Sequence, residues 1–203
     1  MPILESLRLV EKEIFDSNHP VAKESLEFRE TYAIGYTMLV CVNGYPSEMD
    51  KKQLKKELLS LKLPAKYRKT AIDIAINASP DTVYQILTTL VEPSHKYFFM
   101  LDLYEYAYQD NKVTEEEQEF LLLFERLFEL NADELQFVRG FRLAMLKKDS
   151  SLASKVVDEA VTCGLDIPFK ELQYFLNSFE YWKHEVAKDS EVIPVYLAKT
   201  ERN

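Results

Sequence analysis

Glycine is nearly missing from this chain, with four among 203 residues. Sheet-rich folds and phosphate-cradling loops take glycine at tight turns and close approaches, so this composition confines the chain to helices joined by short polar connections. Apolar periodicity agrees along almost the whole length. It predicts a first helix over Ile3 to Phe15, stopped by Asp16-Ser17-Asn18-His19-Pro20, and a long second one ending near Val42. Asn43-Gly44-Tyr45-Pro46 closes that helix, since glycine suits the left-handed position after a helix and proline cannot continue one. Further helices are expected to open at Ser47, Pro64, Ser79-Pro80, Ser94, Thr114, Asn131, Ser150 or Ser151, and Pro168, the last running to about Lys188. Gly164 closes the ninth helix. The predicted fold class is therefore all-α, a single-domain bundle. The helix of Phe120, Leu121, Phe124, Leu127 and Phe128 is expected at its centre, and Phe120 to Phe124 is an unbroken run of five apolar residues.

Bulk composition narrows the class. Apolar residues make up 47% and aromatics 12%, which excludes a disordered chain despite a formal charge of −9. No stretch approaches 18 uncharged apolar residues, so no membrane span is predicted. The amino-terminal segment carries Glu5 and Arg8 and lacks the apolar core of a signal peptide. Cys41 and Cys163, each in an apolar helical stretch, are expected to be core thiols of a reduced, cytoplasmic protein.

Two segments repeat one pattern. Asn43-Gly44-Tyr45-Pro46-Ser47-Glu48-Met49-Asp50 and Asp110-Asn111-Lys112-Val113-Thr114-Glu115-Glu116-Glu117 each close one helix and open the next. Each has an Asx residue, a hydroxyl four positions later and an acid three beyond it. The spacing invites comparison with an EF-hand, but the first and third loop positions would be Tyr106 and Tyr108 in one copy and Leu39 and Cys41 in the other. Calcium binding of that kind lacks its oxygens. A capping box accounts for the same residues: Ser47 with Asp50 and Thr114 with Glu117 satisfy orphan N–H groups reciprocally. The competing use of these acids is as metal ligands, with Asp110, Glu116 and Glu117 the candidates.

The doubled pattern resembles the TerB-like family of bacterial tellurite-resistance and stress proteins, whose repeats carry Ala-Asp-Gly-x-[Val/Ile]-[Ser/Thr]-x-x-Glu at a helix–loop–helix. The second copy keeps Asp110, Val113, Thr114 and Glu117, with Gln109 for alanine and Asn111 for glycine. The first keeps Gly44 and Ser47 but has Asn43 for Asp and Asp50 for Glu. The resemblance spans roughly residues 25–148. It implies two pseudo-symmetric repeats related by an approximate twofold axis, with residues 1–148 as the TerB-like helical domain and residues 149–203 as extra C-terminal helices and tail packed on it. It further implies a non-enzymatic module of the stress response, acting through a protein partner or homo-oligomer, through peripheral association with membrane complexes, or through divalent metal. Asn43, a neutral and poorer ligand, weighs against a metal role that needs an acid in both copies.

Other residues carry weaker signals. Lys51, Lys52, Lys55 and Lys56 form a basic patch that suits phosphate, lipid headgroup or an acidic partner, or is the solvated face of one helix. Nucleic-acid binding does not fit a net negative chain whose basic segment, residues 51–69, holds one aromatic, Tyr67. His19, His95 and His184 share no ligand spacing and are expected at caps or on the surface. No nucleophile motif or phosphate loop is present, so no catalytic residue and no cofactor are predicted. The weaker alternative is an enzyme whose site lies in the C-terminal quarter. Tyr174 and Tyr181 fall on one face of the last helix, and Phe175, Phe179 and Trp182 form an adjoining stripe. Tyr174, Phe175, Tyr181 and Trp182 are the predicted interaction residues, unless the apolar tail from Val192 to Leu197 folds back over them.

Overall fold

In a computed structural model, residues 19–109, 112–168, 171, 172, 174 and 175 are described. Among them there is helix and no strand. A short 3₁₀ turn (Pro20–Lys23) precedes α1 (Leu26–Val40), α2 (Glu48–Ser60), α3 (Ala65–Ile76) and α4 (Pro80–Thr89). Then come α5 (Pro93–Ala107), α6 (Glu115–Leu127), α7 (Ala132–Lys147) and α8 (Ser150–Thr162).

Local chemistry sets the helix starts. Ser25, Ser47, Ser79, Thr114, Asn131 and Asp149 each accept a backbone N–H of the first turn, which supplies a partner for an otherwise orphaned donor. Ser47, Ser79, Thr114 and Asn131 complete capping boxes with Asp50, Thr82, Glu117 and Glu134. The α5 start departs from expectation: Pro93 takes the first turn and Glu92 precedes it, so Ser94 lies inside the helix. Asp149 likewise displaces Ser150 and Ser151 as the cap of α8.

The helix ends show how a chain so poor in glycine turns corners. Gly44 and Gly164 take positive φ, at 107° and 84°. Lys62, Glu129 and Lys148 take the same left-handed region with φ near 52°, although a side chain there is unfavourable. Each is followed by an N–H that reaches back five residues: Leu63 to Leu58 O, Leu130 to Glu125 O and Asp149 to Ala144 O. Those Schellman-type bonds satisfy the terminal carbonyls and hold the strained residue in place.

The centre of the bundle is α5, not α6. Ten of its residues are buried, from Tyr97 to Tyr104 without a break and then Tyr106 and Ala107. It packs against α1, α6 and α7, while α1 also packs against α2, α3 and α4, and α7 pairs with α8. In α6, Leu121, Phe124 and, just beyond the helix, Phe128 are buried, but Leu122, Leu123 and Leu127 face solvent. A continuous apolar run on a 3.6-residue helix necessarily points in every direction, so its length does not report burial. Gly35 marks a close approach of α1 to α5, because a Cβ there would stand 2.7 Å from Phe99.

One hydrophobic core runs from Val21 to Phe175 and includes Ala153, Val156, Val157 and Ala160 of α8. Cys41 is buried, as expected of a core thiol, whereas Cys163 is exposed at the end of α8, one residue before Gly164 turns the chain. No described helix is long and apolar enough to cross a membrane.

Candidate functional site

The two signature loops meet. Asn43 and Thr114 exchange hydrogen bonds at 3.2 Å, Nδ2 donating to Oγ1 and the threonine hydroxyl to Oδ1. Each hydroxyl also caps its own helix. Ser47 Oγ accepts from Asp50 N at 3.2 Å, and Thr114 Oγ1 accepts from Glu117 N at 3.1 Å. The acids answer: Asp50 Oδ2 accepts from Ser47 N and Glu117 Oε2 from Thr114 N, both at 2.9 Å. Tyr106 of α5 donates to the other Asp50 oxygen at 3.1 Å, so both oxygens of that carboxylate are engaged. Burial alone would raise the Asp50 pKa, but the bonds from Ser47 and Tyr106 outweigh it and hold the carboxyl below its ordinary value. Asn43 therefore ties one loop to the other as well as shaping its own turn.

Of the three candidate metal ligands, Glu117 is bound into its capping box, Glu116 is exposed, and Asp110 lies outside the described residues. Among the described residues no group of three or more His, Cys, Asp or Glu has the arrangement to hold a metal ion. Lys52, Lys55 and Lys56 of the basic patch are exposed. Lys51 is half-buried, with its ammonium 2.6 Å from Glu48 and 4.9 Å from the centre of the Tyr45 ring. Phe175 is wholly buried, stacked on Phe98 at 5.9 Å, and half-buried Tyr174 packs edge-on against His19 at 4.9 Å. The aromatic surface of Phe175 is spent on the chain's own core, which corrects the expectation that it faces a partner, while Tyr174 keeps part of its surface exposed. Tyr181 and Trp182 lie outside the described residues.

Sequence reasoning missed a polar group that joins the start of the described chain to its end. His19 caps the 3₁₀ turn as expected, yet it is buried rather than on the surface. Its Nδ1 accepts the Val21 N–H at 3.2 Å, which leaves the proton on Nε2 to be donated to Asp102 Oδ2 at 2.8 Å. Tyr32 donates to the same oxygen at 2.6 Å. Tyr32 and Tyr174 flank the imidazole edge-on. Half-buried Glu57 of α2 lies close by. Removal from water and the negative charges of Glu105 and Asp102 push its pKa up to about 8, against opposing pulls from His19 and Lys56. Glu105, whose side chain reaches the surface, is raised as well, to about 7, by partial removal from water and then by the Asp102 charge.

A second buried group lies between α5, α6 and α7. Arg139 makes a two-pronged pair with Glu125, at 2.9 and 2.5 Å, and the Tyr104 hydroxyl donates to the same carboxylate. Arg142 lays its guanidinium 3.3 Å from the centre of the Tyr108 ring. In both groups the central acid, Asp102 or Glu125, and the imidazole are satisfied by fixed partners. They can tie helices together and hold a proton, and neither aims a nucleophile at a cavity. An open hollow of about 580 Å³ on the α8 surface is lined by Gln136, Ser151, Lys155, Asp158 and Cys163 among others, apart from both groups.

No family model matches the chain, and no curated protein or solved structure does either.

Proposed function

We propose that this chain is a non-enzymatic protein-interaction module of the cytoplasmic stress response, of the kind its loop signature resembles in the TerB-like proteins. The observation that supports this is the loop junction. Its hydroxyls and its acids Asp50 and Glu117 are bound to caps, to Tyr106 and across the two loops, so the signature residues act as a brace that positions the surfaces beside them. Those surfaces carry exposed apolar side chains, Tyr45 and Met49 on one side and Leu122, Leu123 and Leu127 on the other. Protein recognition uses exposed apolar groups of this kind.

Two measurements test the proposal. Cross-linking in cells challenged with tellurite is expected to recover a defined protein partner or a second copy. Calorimetric titration with calcium, magnesium, manganese and zinc is expected to show no saturable binding, while Thr114→Ala lowers stability by about 1 kcal/mol through the lost cap. Saturable metal binding that disappears in Asp110→Ala would overturn the proposal in favour of a divalent-metal protein using Asp110, Glu116 and Glu117.

A further inference from the structure

Two outward helix faces carry complementary chemistry. Tyr45 in the loop before α2 and Met49 in its first turn are 68% and 75% exposed, and Lys52, Lys55 and Lys56 follow along the exposed side. On α6 the acids come first, and the one cation, exposed Arg126, lies among the leucines. Glu115, Glu116 and Glu119 are exposed in the opening turns, and Leu122, Leu123 and Leu127 are 38%, 41% and 44% exposed after them. Helical spacing puts Glu116, Glu119, Leu123 and Leu127 on one stripe, as it does Met49, Lys52 and Lys56.

The order of the two patterns sets a direction. At 1.5 Å rise per residue, Met49 stands about 8 Å from the centre of the lysines on α2, and the leucine and glutamate centres stand about 11 Å apart on α6. Laid antiparallel, the two helices place Tyr45 and Met49 on the leucines and the lysines on the glutamates. Laid parallel, they would place lysines on leucines and strand both sets of charges. Antiparallel packing also opposes the helix dipoles favourably. Within one molecule both faces look to solvent and start from the same joined loops, so this pairing needs two molecules.

The geometry points to a second copy of this chain as the occupant: α2 of one molecule packs antiparallel on α6 of another through leucine–methionine contacts rimmed by Lys–Glu pairs. If each molecule offers both faces to the same neighbour, the assembly closes as a twofold dimer. The apolar centre supplies the adhesion, and the charges supply register and partner choice. This deepens the interaction function proposed above and rests on it.

Sedimentation of the full chain, with charge-reversed variants, tests it. Wild type is expected to self-associate at low salt, about 50 mM, and to weaken as salt rises to about 500 mM, where the Debye length falls below the spacing of the charges. Lys52→Glu with Lys55→Glu should weaken association at least about tenfold, and so should Glu116→Lys with Glu119→Lys, because each sets like charges face to face. Lys56 is left intact, since it also lies beside Glu57 and Glu105. An equimolar mixture of the two variants restores opposite charges at the reversed positions and should recover the assembly as a heterodimer. Leu123→Ala with Leu127→Ala should weaken it at both salt concentrations, and far-UV circular dichroism checks that every variant stays helical. Wild type that remains monomeric at low salt, association unchanged by the reversals, or a mixture that stays monomeric each overturns self-pairing. The metal titration judges the interaction function separately, so failure in the centrifuge and failure of that function are told apart.

Discussion

Asp102 is the only charged side chain in the unbroken buried stretch of α5 from Tyr97 to Tyr104, and its cost is offset by two short bonds, from His19 and Tyr32. A buried carboxylate stripped of its donors is expensive, and donors stripped of their acceptor are expensive too. Asp102→Ala leaves both the His19 Nε2–H and the Tyr32 hydroxyl without an acceptor, and should cost about 3–5 kcal/mol in urea denaturation. Tyr32→Phe leaves His19 as the remaining donor and should cost about 1–3 kcal/mol. Comparable small losses in the two variants would show that the network contributes little. The sequence held a signal for this that went unused: a lone acid inside Phe98-Phe99-Met100-Leu101-Asp102-Leu103 needs a partner if the run is buried. Its partner was not legible. His19 is 83 residues away and reads locally as a turn residue before proline, because only tertiary packing joins them. Glu125 beside Phe124 carried the same warning, and Arg139 answers it.

Elements were legible where their signals are local. Hydroxyl or Asx caps with an acid three residues on marked the starts of α2, α6 and α7, since the whole device lies within one turn. Burial was less legible, because it depends on what packs outside the helix. The apolar run of α6 exposes Leu122 and Leu123, while the aromatic run of α5 is covered nearly all round. The loop junction sits between these cases: each loop's cap was readable, and their mutual contact was not. That contact can be weighed by a double-mutant cycle. Asn43→Ala and Thr114→Ala should each destabilise, the threonine more because it also loses its cap. Their coupling is expected at about 0.5–1 kcal/mol, the usual net worth of an exposed-to-intermediate hydrogen bond. Strictly additive losses would mean that the loops are neighbours without support from each other.

At the scale of the whole molecule, residues distant in sequence close on one another around the same acids. His19 and Phe175 lie in ring contact, Lys23 pairs with Glu171 at 3.0 Å, and Tyr174 sits near Glu57, Asp102 and Glu105. The charge state of this cluster is therefore a property of the folded chain and titrates with folding. Glu57 ionises near 4.5 in an unfolded chain and near about 8 in the native one. Between those values the native state binds the extra proton, so the slope of unfolding free energy with pH is negative for this group. Its contribution is fully present below pH 4.5, declines as pH rises, and levels off above about 8. Asp50 runs the other way: its depressed carboxyl adds stability above its unfolded pKa and loses it as the pH falls through the native one, so the two groups dominate different ends of the profile. Glu57→Gln keeps the shape of the neutral acid and cannot ionise. It should leave the denaturation midpoint nearly unchanged near pH 4.5 and raise it above the wild-type value at pH 8 and beyond. A wild-type profile that stays flat from pH 5 to 8, parallel to that of the glutamine variant, would place the Glu57 carboxylate in water and remove the proton from the cluster.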